Sequence, residues 1–240
     1  MSKMRKRAAS FPETLPDYVR EGLVLYLDGS EPLMKVSDTR VWNDSNLRGQ
    51  YAELESVYTG NSVITFDGVS SCGRIKEAQS VASCGILSGL KERTIEVVCK
   101  LNDTQNVQGV FLGKGNAVYS SFAAGLWYRP SSNGFKCATC NEQNASLVSK
   151  VDQLASYSVV YGGDDINNYS LYQNGVYCQK GATGGNIANP TYPVIGARYN
   201  NAAYSYRLQG EIACIRVYDR MLTDTERERN LATDKKSFGI

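Results

Sequence analysis

Short apolar runs bounded by turn residues, and in places an alternation of apolar and polar residues, mark the chain from residue 22 onward. Segment 94–101 shows the alternation most clearly, because every second side chain is apolar and those between are mostly polar. A period of two is typical of a half-buried β-strand whose apolar face meets the core. The apolar positions are Ile95, Val97, Cys99 and Leu101, and the polar positions are Thr94, Glu96 and Lys100. The pattern therefore predicts that Glu96 points to the outside of the domain.

Further short apolar runs, bounded by turn residues, predict an all-β chain. They occupy residues 23–27, 63–66, 109–112, 123–128, 157–161, 169–173, 176–179, 193–197 and 211–218. The pair Asn174 and Gly175 separates two of these runs, and Asn-Gly between strands is typical of a two-residue hairpin turn. The one convincing helix lies near the end, where Thr223 and Glu226 have the spacing of a capping box. We expect this helix to run to about Lys236. Many strands and one late, short helix predict a single two-sheet β-sandwich.

The amino-acid composition narrows the chemistry that this chain can carry out. The chain has no histidine, so Ser-His-Asp catalysis, Cys-His catalysis and His-ligated zinc are excluded. A formal charge of +2 is too near balance for a chain built around nucleic acid. No apolar run approaches the roughly 18 residues of a membrane span, and charged residues stand where a signal peptide needs apolar ones. We therefore expect a soluble protein made without a secretion signal, with no nucleic-acid partner and no membrane insertion.

The first 20 residues carry a basic cluster that contrasts with the rest of the chain. Its members are Lys3, Arg5, Lys6 and Arg7. Subtracting these four positive charges from +2 leaves −2 for the remainder. We interpret residues 1–20 as a basic arm that either frays at the terminus or docks on an acidic partner. Residues 21–240 then form the sandwich.

Five motifs, taken in order along the chain, together resemble the concanavalin A-like, laminin-G-type jelly-roll domains. They are residues 21–29 (EGLVLYLDG), 41–49 (VWNDSNLRG), 64–68 (ITFDG), 94–98 (TIEVV) and 210–226 (GEIACIRVYDRMLTDTE). The resemblance extends over residues 21–240 and implies a jelly-roll sandwich of two antiparallel sheets, each of about six or seven strands. It leaves the function open, because this fold carries lectins, carbohydrate-binding modules, adhesion domains, glycanases and spacers.

The resemblance also raises two questions that depend on carboxylates. Glycanases of this fold place paired carboxylates on one strand in the pattern E-x-D-x-x-E or E-x-D-x-E, where alternate residues face the same side. This sequence contains no such pattern, so we expect that the protein is not an enzyme and requires no cofactor. The fold family also allows a structural calcium ion, for which Asp28 and Asp44 would supply oxygen ligands. The alternative for Asp28 is an ordinary turn, since Gly29 follows it.

The best candidate for a ligand site is a polar, aromatic loop at residues 199–206. Nine of the 16 tyrosines lie between residues 157 and 206, and a sugar site combines an aromatic ring with amides that bond hydroxyl groups. The candidate residues in this loop are Tyr199, Asn200, Asn201, Tyr204 and Tyr206. The alternative is that these tyrosines cover sheet edges, because Tyr favours strands. Trp127 and Tyr128 form a second candidate for a stacking surface, with core filling as the alternative.

These observations lead to the hypothesis of a non-catalytic recognition or decoration domain in the head or tail of a phage virion. Seven cysteines leave at least one thiol free, which suits assembly in a host cytoplasm, and similar opening motifs occur in phage and bacterial surface proteins. The arm would dock on a virion protein, and the sandwich would face host glycans from the virion surface, with a homo-oligomer as one assembly state. The alternative is a carbohydrate-binding or adhesion module of a secreted bacterial glycan-processing protein, located outside the cell or on the cell surface.

Overall fold

A computed structural model gives the structure of the chain. It describes residues 17–31, 33–36, 39–45, 50–60, 62–77, 92–102, 105–114, 122–130, 134–137, 152–162, 168–182, 193–200 and 203–240. The strands are β1 (Leu23–Asp28), β2 (Met34–Val36), β3 (Thr39–Asn43), β4 (Gln50–Glu55), β5 (Tyr58–Gly60), β6 (Val63–Asp67), β7 (Cys72–Glu77), β8 (Arg93–Leu101), β9 (Gln108–Lys114), β10 (Phe122–Arg129), β11 (Gly134–Cys137), β12 (Ala155–Tyr161), β13 (Asn168–Gln173), β14 (Val176–Ala182), β15 (Pro193–Ile195), β16 (Arg198–Asn200), β17 (Ala203–Ser205) and β18 (Gln209–Tyr218). The helix is α1 (Asp224–Phe238).

The strands form two eight-stranded antiparallel sheets and one separate hairpin. The helix-side sheet has the order β14-β13-β12-β8-β18-β6-β5, and β1 also pairs with β18. The hairpin-side sheet has the order β11-β10-β9-β15-β7-β4-β3-β2, and β16 and β17 pair with each other. The predicted all-β, two-sheet antiparallel jelly-roll sandwich with one C-terminal helix is therefore confirmed, with more strands in each sheet than the resemblance implied.

A continuous apolar core fills the space between the two sheets. On β8 it buries Ile95, Val97, Cys99 and Leu101, as the alternation of the sequence predicts. The hairpin-side sheet contributes, among others, Trp42, Leu54, Ile75, Phe111 and Leu126. Because successive side chains of a strand point to opposite faces, each sheet also has an outer face. These two outer faces are the large surfaces on which another element or a ligand can lie.

Two local predictions from the sequence are confirmed. Asn174 and Gly175 form the turn between β13 and β14 with φ of 48° and 79°, the left-handed values that this hairpin turn requires. At the start of α1, the Thr223 hydroxyl accepts from the Glu226 backbone N–H at 3.3 Å, and the Glu226 carboxylate accepts from the Thr223 N–H at 2.9 Å. This capping box begins a helix that ends close to the predicted residue. In the described part of the chain, no helix has the length and apolar character that a membrane crossing requires.

The helix lies on the outer face of the helix-side sheet, and its position corrects one prediction. Glu96 points away from the core, as expected, but it is only 2% exposed because α1 covers it. The helix turns polar side chains toward the sheet, and its buried residues are Arg227, Asn230 and Asp234. The Asn230 amide donates to the Glu96 carboxylate at 2.7 Å. The alternation thus identifies the outer face of the strand but does not show what covers that face.

Arg216 lies at the centre of this buried polar cluster. Its guanidinium donates two hydrogen bonds of 2.7 Å to Asp234 and one of 2.9 Å to Glu96. Asp234 also accepts from the Ser156 hydroxyl at 2.9 Å and from the Tyr18 hydroxyl at 3.0 Å. With two carboxylates and one guanidinium, the cluster has a surplus of acidic groups. Burial raises the pKa of Glu96 above its ordinary value.

The end of the predicted arm belongs to this cluster. Tyr18 and Val19 are buried, and the Val19 backbone N–H donates to the side-chain oxygen of Asn230 at 2.9 Å. The centroid of the Tyr18 ring lies 4.1 Å from the guanidinium carbon of Arg216. Two residues that the sequence assigned to the arm are therefore packed on the sandwich. The basic residues Lys3, Arg5, Lys6 and Arg7 lie outside the described residues, and their docking role stays a prediction.

Asp234→Asn and Glu96→Gln each replace a buried carboxylate by an amide of the same shape. We predict that the first variant loses more stability than the second. In Asp234→Asn a neutral amide replaces the carboxylate that accepts two hydrogen bonds from Arg216. The free energy of unfolding should therefore fall by about 3 kcal/mol, which is typical of breaking a buried ion pair. In Glu96→Gln the amide oxygen still accepts from Arg216 and Asn230, while its NH2 group faces the Ser158 hydroxyl, which now lies 3.4 Å from the carboxylate. That loss should stay below about 1 kcal/mol. Urea unfolding measures both values, and equal losses would contradict these assignments.

Glu96 should also make stability depend on pH. Burial raises its pKa in the folded state above the ordinary value of 4.5, so the folded protein keeps a proton that the unfolded chain has lost. The contribution of Glu96 to stability should therefore fall as the pH rises above 4.5, by at most about 1.4 kcal/mol per pH unit. The free energy of unfolding should be measured for the wild type and for Glu96→Gln from acid to neutral pH. As the pH rises, the wild type should lose stability relative to the variant. A constant difference would show that the pKa of Glu96 is unshifted.

Candidate ligand-binding site

The loop that the sequence singles out is a short β-hairpin. Strands β16 and β17 pair with Tyr199 opposite Tyr204, and the centroids of these two rings lie 5.1 Å apart. Tyr206 follows the hairpin and is 41% exposed. The structure therefore brings the three predicted tyrosines together. Asn201 lies outside the described residues, and for Asn200 only the backbone is described.

The hairpin lies against the outer face of the hairpin-side sheet. Ile75 of β7 points into the core, so the neighbouring Arg74 points outward toward the hairpin. The rings of Tyr199 and Tyr204 cover a small apolar cluster there and are partly buried by it. This cluster consists of Cys72, Val194 and Ala197. These two tyrosines are thus packed against the sheet, and Tyr206 is the more open ring.

Two arginines contact the paired tyrosines. The guanidinium carbon of Arg74 lies 5.0 Å from the Tyr199 centroid and 4.9 Å from the Tyr204 centroid. The Nε atom of Arg74 also donates a hydrogen bond to the Tyr204 hydroxyl. Arg207 approaches the same Tyr204 ring, with its guanidinium carbon 5.4 Å from the centroid. All of these separations lie within the roughly 6 Å range of cation–π contacts, so the rings of the hairpin hold guanidinium groups.

A third arginine completes the group. The guanidinium carbon of Arg198 lies 5.3 Å from the Tyr206 centroid. We call the whole group the Arg–Tyr patch, and its members are Arg74, Arg198, Arg207, Tyr199, Tyr204 and Tyr206. The three arginines are not among the site residues predicted from the sequence. Arg198 and Arg207 flank the loop directly, which is a signal that could have identified them. Arg74 lies far away in the sequence, and only the pairing of β7 with β15 brings it close.

The loop between β6 and β7 holds Arg207 in place. The Nη1 atom of Arg207 donates to the backbone carbonyls of Ser70 at 2.7 Å and Ser71 at 3.3 Å. The loop is in turn held by the Asp67 carboxylate, which accepts from the backbone N–H groups of Val69, Ser70 and Ser71 at 2.8 Å each. Burial alone would raise the pKa of Asp67, but a hydrogen bond of 2.6 Å from the Ser70 hydroxyl, together with the three backbone hydrogen bonds, holds it well below its ordinary value. The carboxylate therefore stays ionised and keeps its hold on the loop at neutral pH.

The Arg–Tyr patch carries positive charge that few nearby acids compensate. Within the described stretches, neither Arg74 nor Arg207 forms an ion pair with a carboxylate. Glu53 stands opposite Arg74 in the pairing of β4 with β7, but it forms its ion pair with Lys76. Glu55 approaches the thiol beneath the patch at 3.8 Å. The two guanidinium groups are thus fixed by rings and carbonyls and keep an excess of charge.

Trp127 and Tyr128, the second predicted stacking surface, are both largely buried. Tyr128 is 1% exposed and packs in the core against Phe135, with ring centroids 5.8 Å apart, which agrees with the alternative that it fills the core. Trp127 faces outward on β10 but is only 7% exposed, because it packs with Leu112 and Val107. Neighbouring residues of a strand point to opposite faces, so these two rings cannot form a joint surface.

The predicted calcium ligands Asp28 and Asp44 are both buried near β1. The Asp28 carboxylate accepts from the backbone N–H of Ser30 at 2.8 Å, from its hydroxyl at 2.6 Å, and from the Tyr26 hydroxyl. Asp44 accepts from the Tyr26 backbone N–H at 2.8 Å. Across the described ranges, no group of three or more His, Cys, Asp or Glu side chains is placed to hold a metal ion. Both carboxylates thus already hold protein donors that an ion would have to displace, and calcium binding stays a prediction.

Another concave surface lies on the opposite side of the sandwich, between strands β12 and β13 and the start of α1. It is a groove of about 400 Å³ whose lining includes Val160, Ser170, Tyr172, Met221, Thr223 and Arg227. The guanidinium carbon of Arg227 lies 3.9 Å from the Tyr172 centroid, and Arg227 pairs with Asp224. The aromatic face is therefore covered and the charge is compensated. This groove offers a polar ligand less than the Arg–Tyr patch does.

The two antiparallel sheets and the single C-terminal helix among the described residues form a jelly-roll sandwich. A family model described as the concanavalin A-like lectin/glucanases superfamily matches residues 77–226. The chain belongs to this superfamily, within its laminin-G-type domains, and the resemblance seen in the motifs is confirmed. A sequence comparison with curated proteins gives no match.

Solved structures share this fold at low sequence identity. Trypanosoma rangeli sialidase in complex with 2,3-difluorosialic acid superposes with a TM-score of 0.69 and 13% identity, over 90% of this chain and 33% of that chain. The binding domain of botulinum neurotoxin serotype D gives a TM-score of 0.58 and 11% identity, over 88% of this chain and 51% of that chain. The chain thus spans about a third of the length of the sialidase. At such identities the likeness shows the fold alone.

Proposed function

We propose that this chain is a non-catalytic recognition module that binds glycans through the Arg–Tyr patch. The observation that carries the proposal is the meeting of three tyrosines and three arginines on the outer face of a lectin-type sandwich. Tyr206 offers the most exposed of these rings. A ring that packs on the C–H face of a sugar, with fixed hydrogen-bond donors beside it, supplies what a glycan site needs.

The carboxylates around the patch support binding rather than hydrolysis. Glycoside hydrolysis uses two carboxyl groups about 5 to 10 Å apart, placed on two sides of the sugar bond. Here Glu53 pairs with Lys76, Glu55 contacts a thiol, and Asp67 is bound by the backbone of its own loop. Each carboxylate therefore has a structural partner. Release of sugar from a bound glycan would contradict the non-catalytic part of the proposal.

For the setting of this module we propose the surface of a phage virion, in its head or tail. The basic residues of the arm would dock on an acidic virion protein, and the sandwich would present the patch outward to host glycans. Cys72, Cys99, Cys178 and Cys214 are free thiols, which suits assembly in the reducing cytoplasm of a host cell. A single surface site binds a glycan weakly, so several copies on one particle, or a homo-oligomer, would supply avidity.

The alternative setting is a binding or adhesion module of a longer, secreted glycan-processing protein. One observation favours it: the fold of this chain accounts for 33% of Trypanosoma rangeli sialidase, whose structure has also been solved with sialic acid. In that setting the module would work outside the cell or on the cell surface. It would bring a neighbouring catalytic domain to its glycan.

We predict that the purified protein, clustered on a multivalent support, binds selectively on a glycan array and that Tyr206→Ala weakens this binding. The variant removes an exposed ring without opening the core, so the apparent affinity should fall about two- to twelvefold, from roughly 0.5–1.5 kcal/mol for an aromatic contact. Tyr177→Ala is the matched control, because Tyr177 is 54% exposed in the helix-side sheet. Silence of the folded protein across the array, or equal losses in the two variants, would overturn the proposed site.

We also predict that a chain lacking residues 2–16 keeps its glycan binding but no longer co-sediments with virions. This deletion removes the basic cluster and spares Tyr18 and Val19, which are packed on the sandwich. A full-length variant with Gln at the four basic positions tests charge separately from length. Co-sedimentation of both variants at the wild-type level would show that the arm does not dock. If the whole chain binds its glycan but does not co-sediment with virions, the secreted module is favoured.

A further inference from the structure

Two sets of described arginines differ in whether a carboxylate neutralises their charge. On the helix side, four arginines each pair with a carboxylate: Arg216, Arg220, Arg227 and Arg229. In the Arg–Tyr patch, neither Arg74 nor Arg207 has such a partner among the described residues. Aromatic rings and backbone carbonyls hold these two guanidinium groups instead. Among the described residues, Arg74 and Arg207 therefore have no ion-pair partner on the outer face that the helix does not cover.

Each of these two arginines keeps N–H groups that form no ion pair with a described carboxylate. The Nε atom of Arg74 donates to the Tyr204 hydroxyl. Within the described part of the chain, its two terminal nitrogens donate to no protein acceptor. The Nη1 atom of Arg207 donates to the carbonyls of Ser70 and Ser71, and its guanidinium also lies within hydrogen-bond reach of the Cys72 thiol. Among the described residues, no carboxylate accepts from its remaining N–H groups. A guanidinium packed against a ring keeps its N–H groups in the plane of the fork, where they can bind an anion with two parallel hydrogen bonds.

We infer that the glycan bound by the Arg–Tyr patch is an anionic sugar, whose carboxylate or sulfate group is bound by Arg74 and Arg207. This inference rests on the proposed glycan-binding function and names the class of its ligand. The arginines are positioned before the ligand arrives, because Arg74 projects from a central strand of the sheet and Arg207 is bonded to a loop that Asp67 holds. A neutral sugar would leave both charges uncompensated, whereas an acidic sugar supplies the missing partner. The tyrosines then orient the arginines as well as contacting the sugar.

The test is an array on which each acidic glycan stands beside its neutral counterpart. Carboxylated glycans are printed with their methyl esters, and sulfated glycans with their desulfated forms, so that the two sources of negative charge are distinguished. We expect the wild type to bind acidic members of one or both sets and to lose at least about tenfold in apparent affinity for the neutral forms. The binding should also weaken as NaCl rises from about 0.05 to 0.5 M, since charge pairing at a surface is screened by salt.

Variants connect this preference to the two arginines. Arg74→Gln and Arg207→Gln should each reduce binding to the acidic glycan about tenfold, while Arg74→Lys, which keeps the charge without the fork, should fall between. Lys236→Gln makes the same change of charge in the last turn of α1, on the covered side, and should stay within about twofold of the wild type. Thermal unfolding of each variant shows that it is folded. The salt dependence of the wild type gives a measurement that needs no variant.

The possible outcomes separate the two claims. Equal binding to acidic and neutral counterparts, with a loss in Tyr206→Ala, would overturn the anionic class and leave the glycan-binding proposal standing. An unchanged preference for acidic glycans in Arg74→Gln and Arg207→Gln would also overturn the inference, because other residues would then bind the anionic group of the sugar. Silence on the whole array would overturn both the inference and the proposed function.

Discussion

The side chain of Arg216 is completely buried between the helix-side sheet and α1, and the architecture of that side depends on it. A buried guanidinium is costly unless carboxylates pair with it and its hydrogen bonds are satisfied. Asp234 satisfies it from the helix and Glu96 from β8, while the ring of Tyr18 covers it. The helix and the end of the arm therefore lie where these partners can reach the guanidinium. As a result this outer face is covered, and the hairpin-side face is the one left for a ligand.

The contrast between Arg216 and Arg74 shows how one residue type serves two purposes. Arg216 is fully desolvated, so its charge requires carboxylates, and the ion pairs position a helix that turns polar side chains toward the sheet. Arg74 is only partly buried, so water still solvates its charge, and two tyrosine rings suffice to hold it. Aromatic support leaves the edge of the guanidinium available, whereas a carboxylate partner would occupy it. The structural arginine and the proposed recognition arginine thus differ here in the partner that fixes them.

Local features of the sequence predict much of this fold, because they depend on neighbouring residues. The alternation along β8, the turn at Asn174 and Gly175, and the capping box at Thr223 each follow from short-range rules and agree with the structure. The burial of Glu96 could not be predicted in this way. A strand pattern identifies the face on which a side chain lies, but a helix more than 100 residues further along the chain decides whether that face is open.

The candidate site shows the same division between local and distant information. The tyrosines of the hairpin are close in sequence and attract notice as a group, whereas Arg74 joins them only because β7 and β15 pair across the sheet. For Trp127 and Tyr128 the sequence left core filling open, because alternation in β10 does not say which of two adjacent aromatic rings faces the core.

The rigidity of the sheet also bears on how the patch would bind the proposed ligand. A site on flexible loops must order its side chains when it binds, and this ordering lowers affinity. In the Arg–Tyr patch that ordering is largely complete beforehand, because Tyr204 accepts from Arg74 and the loop of Asp67 holds Arg207. The free energy of each new hydrogen bond to a ligand can then contribute to binding. A small surface site of this kind gains its strength from preorganisation within one copy and from avidity among many.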